Sequence, residues 1–189
     1  MSTNKLRSSA KASICLCLLI LVPVAPQADD WPNYGNDKGS SKYASLNQIN
    51  SDSIEQLKVA WVWDTPDNAV VKKQPQLTPW SLKVTPLKVG NRLFTSTSLG
   101  FVAALNPTNG ETLWQFDTKT YADGRPTNLG FNHRGVAYWS QGDKARILMP
   151  TNNAYLWSLD AETGKPDPDF GQGGRVDLTL GLGRGIDRK

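Results

Sequence analysis

The chain of 189 residues is long enough for one ordinary domain or for a piece of something larger. With 39% hydrophobic and 20% charged residues and no low-complexity tract, its composition is globular and excludes wholesale disorder. The formal net charge of +4 suggests a basic protein, but that excess is concentrated at one end of the chain.

Lys5, Arg7 and Lys11 precede the apolar run ASICLCLLILVPVAP, which is too short and too broken by proline for a membrane span. Ala28 then precedes a polar start. This is the layout of a secretory signal peptide over residues 1–28, with an uncleaved N-terminal anchor as the alternative. The leader contains no acid, so without it the net charge falls close to neutrality. No basic face remains, and nucleic acid is not an expected partner. Both cysteines, Cys15 and Cys17, also lie in the leader. Residues 29–189 must therefore be held by packing or by a ligand rather than by disulfides.

The segment WPNYGNDKGSSKYASLNQIN that follows is polar and turn-rich. SDSIEQLKVAWVWD then offers Ser51 as an N-cap, a short helical turn, and a strand from Val59 to Trp63. TPDNAVVKKQPQLTPW reads as a loop. Downstream, VTPLKVGNRLFTSTSLGFVAALNPTNGETLWQFD predicts four short strands separated by turns at Gly90-Asn91, Leu99-Gly100 and Asn109-Gly110, which is one antiparallel meander.

The same grammar returns in VAYWSQGDKARILMPTNNAYLWSLDAETGKPDPDFG. Leu93 aligns with Ile147, Thr97 with Thr151, Leu105 with Leu159 and Gly110 with Gly164. A four-stranded unit repeating every 40–50 residues or so is the mark of a β-propeller. ALNPTNGETLW and SLDAETGKPDP share a turn in which an acid or amide satisfies turn amides ahead of a tight Asn-Gly or Thr-Gly pair. In the first copy the tryptophan that follows can wedge flat between neighbouring units. The fold class is therefore all-β, a partial β-propeller.

Between the copies lies GRPTNLGFNHRGVAYW, a polar insert holding the single histidine, His133, next to Arg134. One histidine and no cysteine after the leader leave no ordinary structural zinc site. GLGRG and GQGGR do not lead from a strand into a helix, so they are turns rather than dinucleotide loops. Asp117, Asp123, Asp143 and Asp160 are scattered through turns and are explained by turn chemistry.

These stretches together resemble the pyrroloquinoline quinone (PQQ)-dependent quinoprotein dehydrogenases, in particular their glucose-dehydrogenase-like branch. The most specific match is HRGVAYW after the first tryptophan-turn repeat; the repeat alone also occurs in non-enzymatic propellers. The resemblance implies an eight-bladed propeller, of which about two four-stranded blades are encoded here. It implies that Arg134 contacts the quinone, as a guanidinium fork suits a planar tricarboxylate; a structural arginine bridging two blades is the alternative. His133 could line the cofactor rim or be a surface or hydrogen-bonding residue. Thr151 lies beside a strand position that touches the cofactor in the family, or is a plain turn residue. Lys83 stands where members often carry a cofactor-bonding glutamate, and its cation could pair with a quinone carboxylate. Asn128 and Leu129 replace the vicinal cysteine lid of many alcohol-oxidising members, as in sugar-oxidising branches.

The calcium ligands, the catalytic aspartate and the tryptophan beneath the quinone are expected from later blades, so no catalytic residue and no metal ligand is assigned within this chain. The expected protein is the N-terminal portion of a periplasmic enzyme, free or membrane-associated. With PQQ and Ca²⁺ the enzyme would oxidise a sugar or alcohol and pass electrons to a membrane quinone or cytochrome. The chain alone is not expected to turn over. The alternative is a non-enzymatic PQQ-like propeller acting as a scaffold or binding protein of the cell envelope.

Overall fold

A computed structural model describes residues 30–126, 130–183 and 185. The expected leader, Asn128 and Leu129 lie outside the described residues. Two four-stranded antiparallel sheets dominate the fold. The first holds β1 (Leu87–Val89), β2 (Arg92–Ser96), β3 (Phe101–Leu105) and β4 (Thr112–Asp117); the second holds β5 (Ala137–Gln141), β6 (Lys144–Pro150), β7 (Tyr155–Asp160) and β8 (Arg175–Asp177). Each strand pairs with the next in sequence, so both sheets are simple meanders.

The core lies between the sheets. Leu87, Phe94, Val102 and Ala104 from the first pack against Ile147, Met149, Leu159 and Ala161 from the second. Phe94 contacts both Trp114 and Tyr138, with ring centroids 6.0 and 6.1 Å away, and Phe116 meets Trp157 edge-on at 5.0 Å. All five residues of β3 are buried, which explains its small, apolar composition. A second cluster of Leu77, Leu99, Phe101 and Phe131 lies at the end of β2 and β3.

The two repeated turns are closed by the same backbone bond. Gly110 N–H donates to the Asn106 carbonyl at 2.9 Å, and Gly164 N–H to the Asp160 carbonyl at 2.8 Å. The side chains of Asn106 and Asp160 accept from the amides of Thr108 and Thr163 at 2.9 and 2.8 Å. Trp114, on the outer strand of the first sheet, lies across Gly164 of the second, and its Nε1–H donates to the Ala161 carbonyl at 3.1 Å. Trp61 does the same to the first sheet: it lies across Gly110 and donates to the Pro107 carbonyl at 3.1 Å. Both glycines have positive φ, at +74° and +70°, and a Cβ on either would strike the indole ring above it.

Two elements depart from the sequence reading. Residues 59–63 form no strand and pair with none among the described residues. The β-rich pattern is present, but a strand needs a partner. The segment read as a loop contains a helix, α1 (Asp67–Lys73), and a 3-10 turn (Pro75–Leu77). Val70 and Val71 pack on the second cluster, and Asp67 and Lys72/Lys73 sit at the favourable dipole ends. This packing overrides the weak helix propensity of paired valines. The earlier helical turn spans Ile54–Gln56 with Ser53 rather than Ser51 at its N-cap.

Candidate cofactor-facing site

Thr97 follows β2 and Thr151 follows β6, and each opens the same turn. Their amides donate to the carbonyls of Phe101 and Tyr155, both at 2.8 Å, and their hydroxyls accept from the amides of those residues at 3.1 and 3.3 Å. The two turns therefore mark the same end of the two sheets. The insert between β4 and β5 returns across this end.

His133 fastens the insert there. It is 5% exposed, and its Nδ1–H donates to the carbonyl of Pro150 at the end of β6, leaving Nε2 without a hydrogen-bond partner among the described residues. Burial pushes the imidazole down to about 4, against a smaller upward effect of the Pro150 bond, so His133 is neutral at pH 7. Its Nε2 packs beside Gly100 in the β2–β3 turn, where an added Cβ would lie 3.5 Å from it. On the other side of Arg134, Gly135 rests on Val84 and on the Thr85 carbonyl, with 3.2 Å from a built Cβ to that oxygen.

These contacts bring the four candidate residues to one end of the molecule through their immediate neighbours, but their side chains differ. Arg134 and Lys83 are exposed, and neither has an ion pair among the described residues. Thr151 is buried, with its hydroxyl donating within its own turn, to Asn153 Oδ1 at 2.7 Å or the Tyr155 carbonyl at 3.1 Å. His133 faces inward as an anchor. The cations are thus the groups presented outward, and they suit a ligand carrying several carboxylates.

Two residues important to this end were not singled out from sequence. Asp67, buried on α1, accepts from the Thr97 hydroxyl at 2.5 Å and the Leu99 amide at 3.1 Å, bracing the β2–β3 turn. Burial raises its pKa above the usual carboxylate value, and nearby Asp117 adds to the rise; the bonds from Thr97, Leu99 and Ser98 oppose it. Arg125 lies between Trp80 and Phe131, with its guanidinium carbon 5.0 and 5.5 Å from the ring centroids. It donates to the carbonyls of Gln76 and Thr78 at 2.9 and 2.6 Å, tying the insert to the segment after α1. The acid before an Asn-Ala-Val-Val run was the available signal for Asp67; nothing in the sequence pairs Arg125 with Trp80.

Among the described residues, no three His, Cys, Asp or Glu side chains gather to hold a metal ion, and no helix is long and apolar enough to cross a membrane.

The glucose/ethanol/alcohol dehydrogenase β-propeller domain family (PQQ) matches residues 31–189. This chain belongs to the PQQ-dependent dehydrogenase β-propeller family. Quinoprotein glucose dehydrogenase A of Acinetobacter calcoaceticus is 33% identical over 170 residues, covering 79% of this chain and 20% of that protein. The glycerol dehydrogenase large subunit of Gluconobacter thailandicus is 30% identical over 168 residues, covering 85% and 22% respectively. This PQQ-family chain therefore spans about a fifth of the length of these relatives. A quinohemoprotein alcohol dehydrogenase from Pseudomonas putida HK5 superposes with a TM-score of 0.60 at 21% identity, over 80% of this chain and 19% of that one, which supports the propeller fold. The two sheets are accordingly a part of a quinoprotein propeller.

Proposed function

We propose that this chain forms one wall of the PQQ site of a quinoprotein dehydrogenase that oxidises a sugar or alcohol of the glucose type. The observation that carries this reading is the pairing of two outward, acid-free cations, Arg134 and Lys83, with an insert clamped by His133. A guanidinium can pair two-pronged with a carboxylate of PQQ, and a lysine ammonium adds a point charge beside it. Thr151 and His133 hold the backbone on which that contact stands. PQQ, when bound, supplies the electron-accepting quinone. Ca²⁺ belongs to the same reading, with its ligands and the catalytic base outside the described residues.

The names of the relatives, glucose and glycerol dehydrogenases, favour a polyhydroxylated substrate. The signal-like layout of residues 1–28 favours the periplasm, with a quinone or cytochrome as electron acceptor. The site is tested by titrating PQQ into the chain and following quenching of its tryptophan fluorescence. Arg134→Ala should weaken binding by about tenfold or more, the loss of one charge-assisted contact, and Arg134→Lys should recover only part of it. Unchanged affinity in Arg134→Ala, or no PQQ binding by the chain, would sink the assignment.

A further inference from the structure

Helix α1 and residues 78–82 face each other across a cavity of about 260 Å³ beside the β2–β3 turn. Its walls come from residues 65–98 alone, so it does not arise from an unpaired sheet edge. Trp80 forms one side. The insert braces its indole: the Arg125 guanidinium carbon lies 5.0 Å from the ring centroid, and a Cβ built on Gly130 would lie 3.7 Å from Cε3 and Cζ3. A tryptophan held in this way is nevertheless 71% exposed.

The polar part of the lining is largely uncharged. Asn68 contributes an amide, and Thr78, Ser81 and Ser98 contribute hydroxyls, with Ser98 Oγ–H donating to the Ser81 carbonyl at 3.0 Å. Asp67 is the one acid in the lining, and its two carboxylate oxygens already accept from the Thr97 hydroxyl and the Leu99 amide. No lysine or arginine lines the cavity, neither Lys83 nor Arg134 included. A fixed aromatic plate surrounded by neutral donors and acceptors complements a ligand with an apolar face and a polar rim. A pyranose has that form, with C–H groups on a ring face and hydroxyls around the edge. An aliphatic ligand would leave the amide and hydroxyls unpaired, and a charged one would find no counter-charge.

We propose that this cavity is a saccharide-binding subsite, in which Trp80 stacks on the C–H face of a sugar ring while Asn68, Thr78 and Ser81 bond to its hydroxyls. The subsite goes beyond the cofactor reading and stands without it, because none of its walls is a residue assigned to PQQ. Arg125 and Gly130 act behind the indole and keep the plate in place.

The probe is D-glucose, titrated into the full chain without PQQ while the indole N–H resonance of Trp80 is followed by NMR. Saturable binding with a dissociation constant of roughly 1–10 mM is expected, the range of a small neutral ligand with one stacking contact. Glycerol, which has hydroxyls but no ring face, should bind about tenfold more weakly or less. Trp80→Ala should weaken glucose binding by about tenfold or more, and Trp80→Phe should recover part of it. Asn68→Ala, at an exposed position that leaves the Arg125 contacts intact, should weaken it several-fold, which keeps the test valid if Trp80→Ala loosens the insert. Trp139→Phe, at another exposed tryptophan, should change nothing. No saturable glucose binding overturns the proposal, as does unchanged affinity in both Trp80→Ala and Asn68→Ala, or glycerol binding as tightly as glucose. Loss of glucose binding in Arg134→Ala would place the sugar among the cations and also overturn it, whereas loss of PQQ binding alone touches only the cofactor reading.

Discussion

His133 donates to the carbonyl of Pro150, so a single buried hydrogen bond sets the insert against the end of β6. The residues that follow the two partners are Arg134 and Thr151. The distance between an outward cation and a repeated turn is therefore fixed by a side chain that itself faces inward.

Burial of the same imidazole makes folding stability depend on pH. His133 titrates near 4 in the folded chain and near 6.5 when unfolded, so between those values the unfolded state binds more protons. Its contribution is complete above about pH 6.5 and is lost as pH falls toward 4, amounting to about 3 kcal/mol at most. Urea midpoints should fall across that window in the native chain. In His133→Asn, whose Nδ2 can replace the Nδ1 donor without titrating, the midpoint should fall less; an identical pH profile would refute the assignment.

Asp67 acts with the opposite sign. Its folded pKa is raised, so its favourable contribution is full below the unfolded value of about 3.8 and declines as pH rises through the folded one. Asp67→Asn removes this titration while keeping an acceptor for the Leu99 amide. The stability of the native chain relative to this variant should decrease with rising pH through the acid range, as measured by urea melts at several pH values.

Gly164→Ala should destabilise the chain by about 2–4 kcal/mol, combining a left-handed backbone for alanine with displacement of the Trp114 ring. Trp114→Ala relieves the second part. The double variant should therefore be less damaged than the sum of the singles by about 1 kcal/mol or more. Additive losses in chemical denaturation would show that the glycine is not making room for the indole.

Arg134→Ala should leave stability within about 0.5 kcal/mol, since the side chain is exposed and makes no ion pair among the described residues. Equal urea midpoints would establish that any loss of PQQ binding in that variant is local.

The repeated meander was readable because turn chemistry and strand composition agree: Asn-Gly and Thr-Gly pairs bound short β-branched or aromatic runs, and both copies fold as read. Helix α1 was not, because its stability lies in the burial of Asp67, Val70 and Val71 against residues far along the chain. Residues 59–63 carry a strand pattern that the described residues leave unpaired, since pairing is a property of two segments and composition describes only one at a time. At the site, sequence pointed to the insert and to Arg134, whose side chain is exposed. It could not show that His133 turns inward, because burial of a lone imidazole depends on Gly100 and Pro150, which only the fold brings near.

The contact of tryptophan on glycine joins two different surfaces, a ring on the leaving edge of one sheet and a turn on the receiving sheet. Such a join has a direction. Repeated with constant rotation it either returns to its first unit and closes a ring, or runs on as an open filament. The angle at which Trp114 holds its own sheet against the next is therefore one determinant of how many blades a closed assembly can hold.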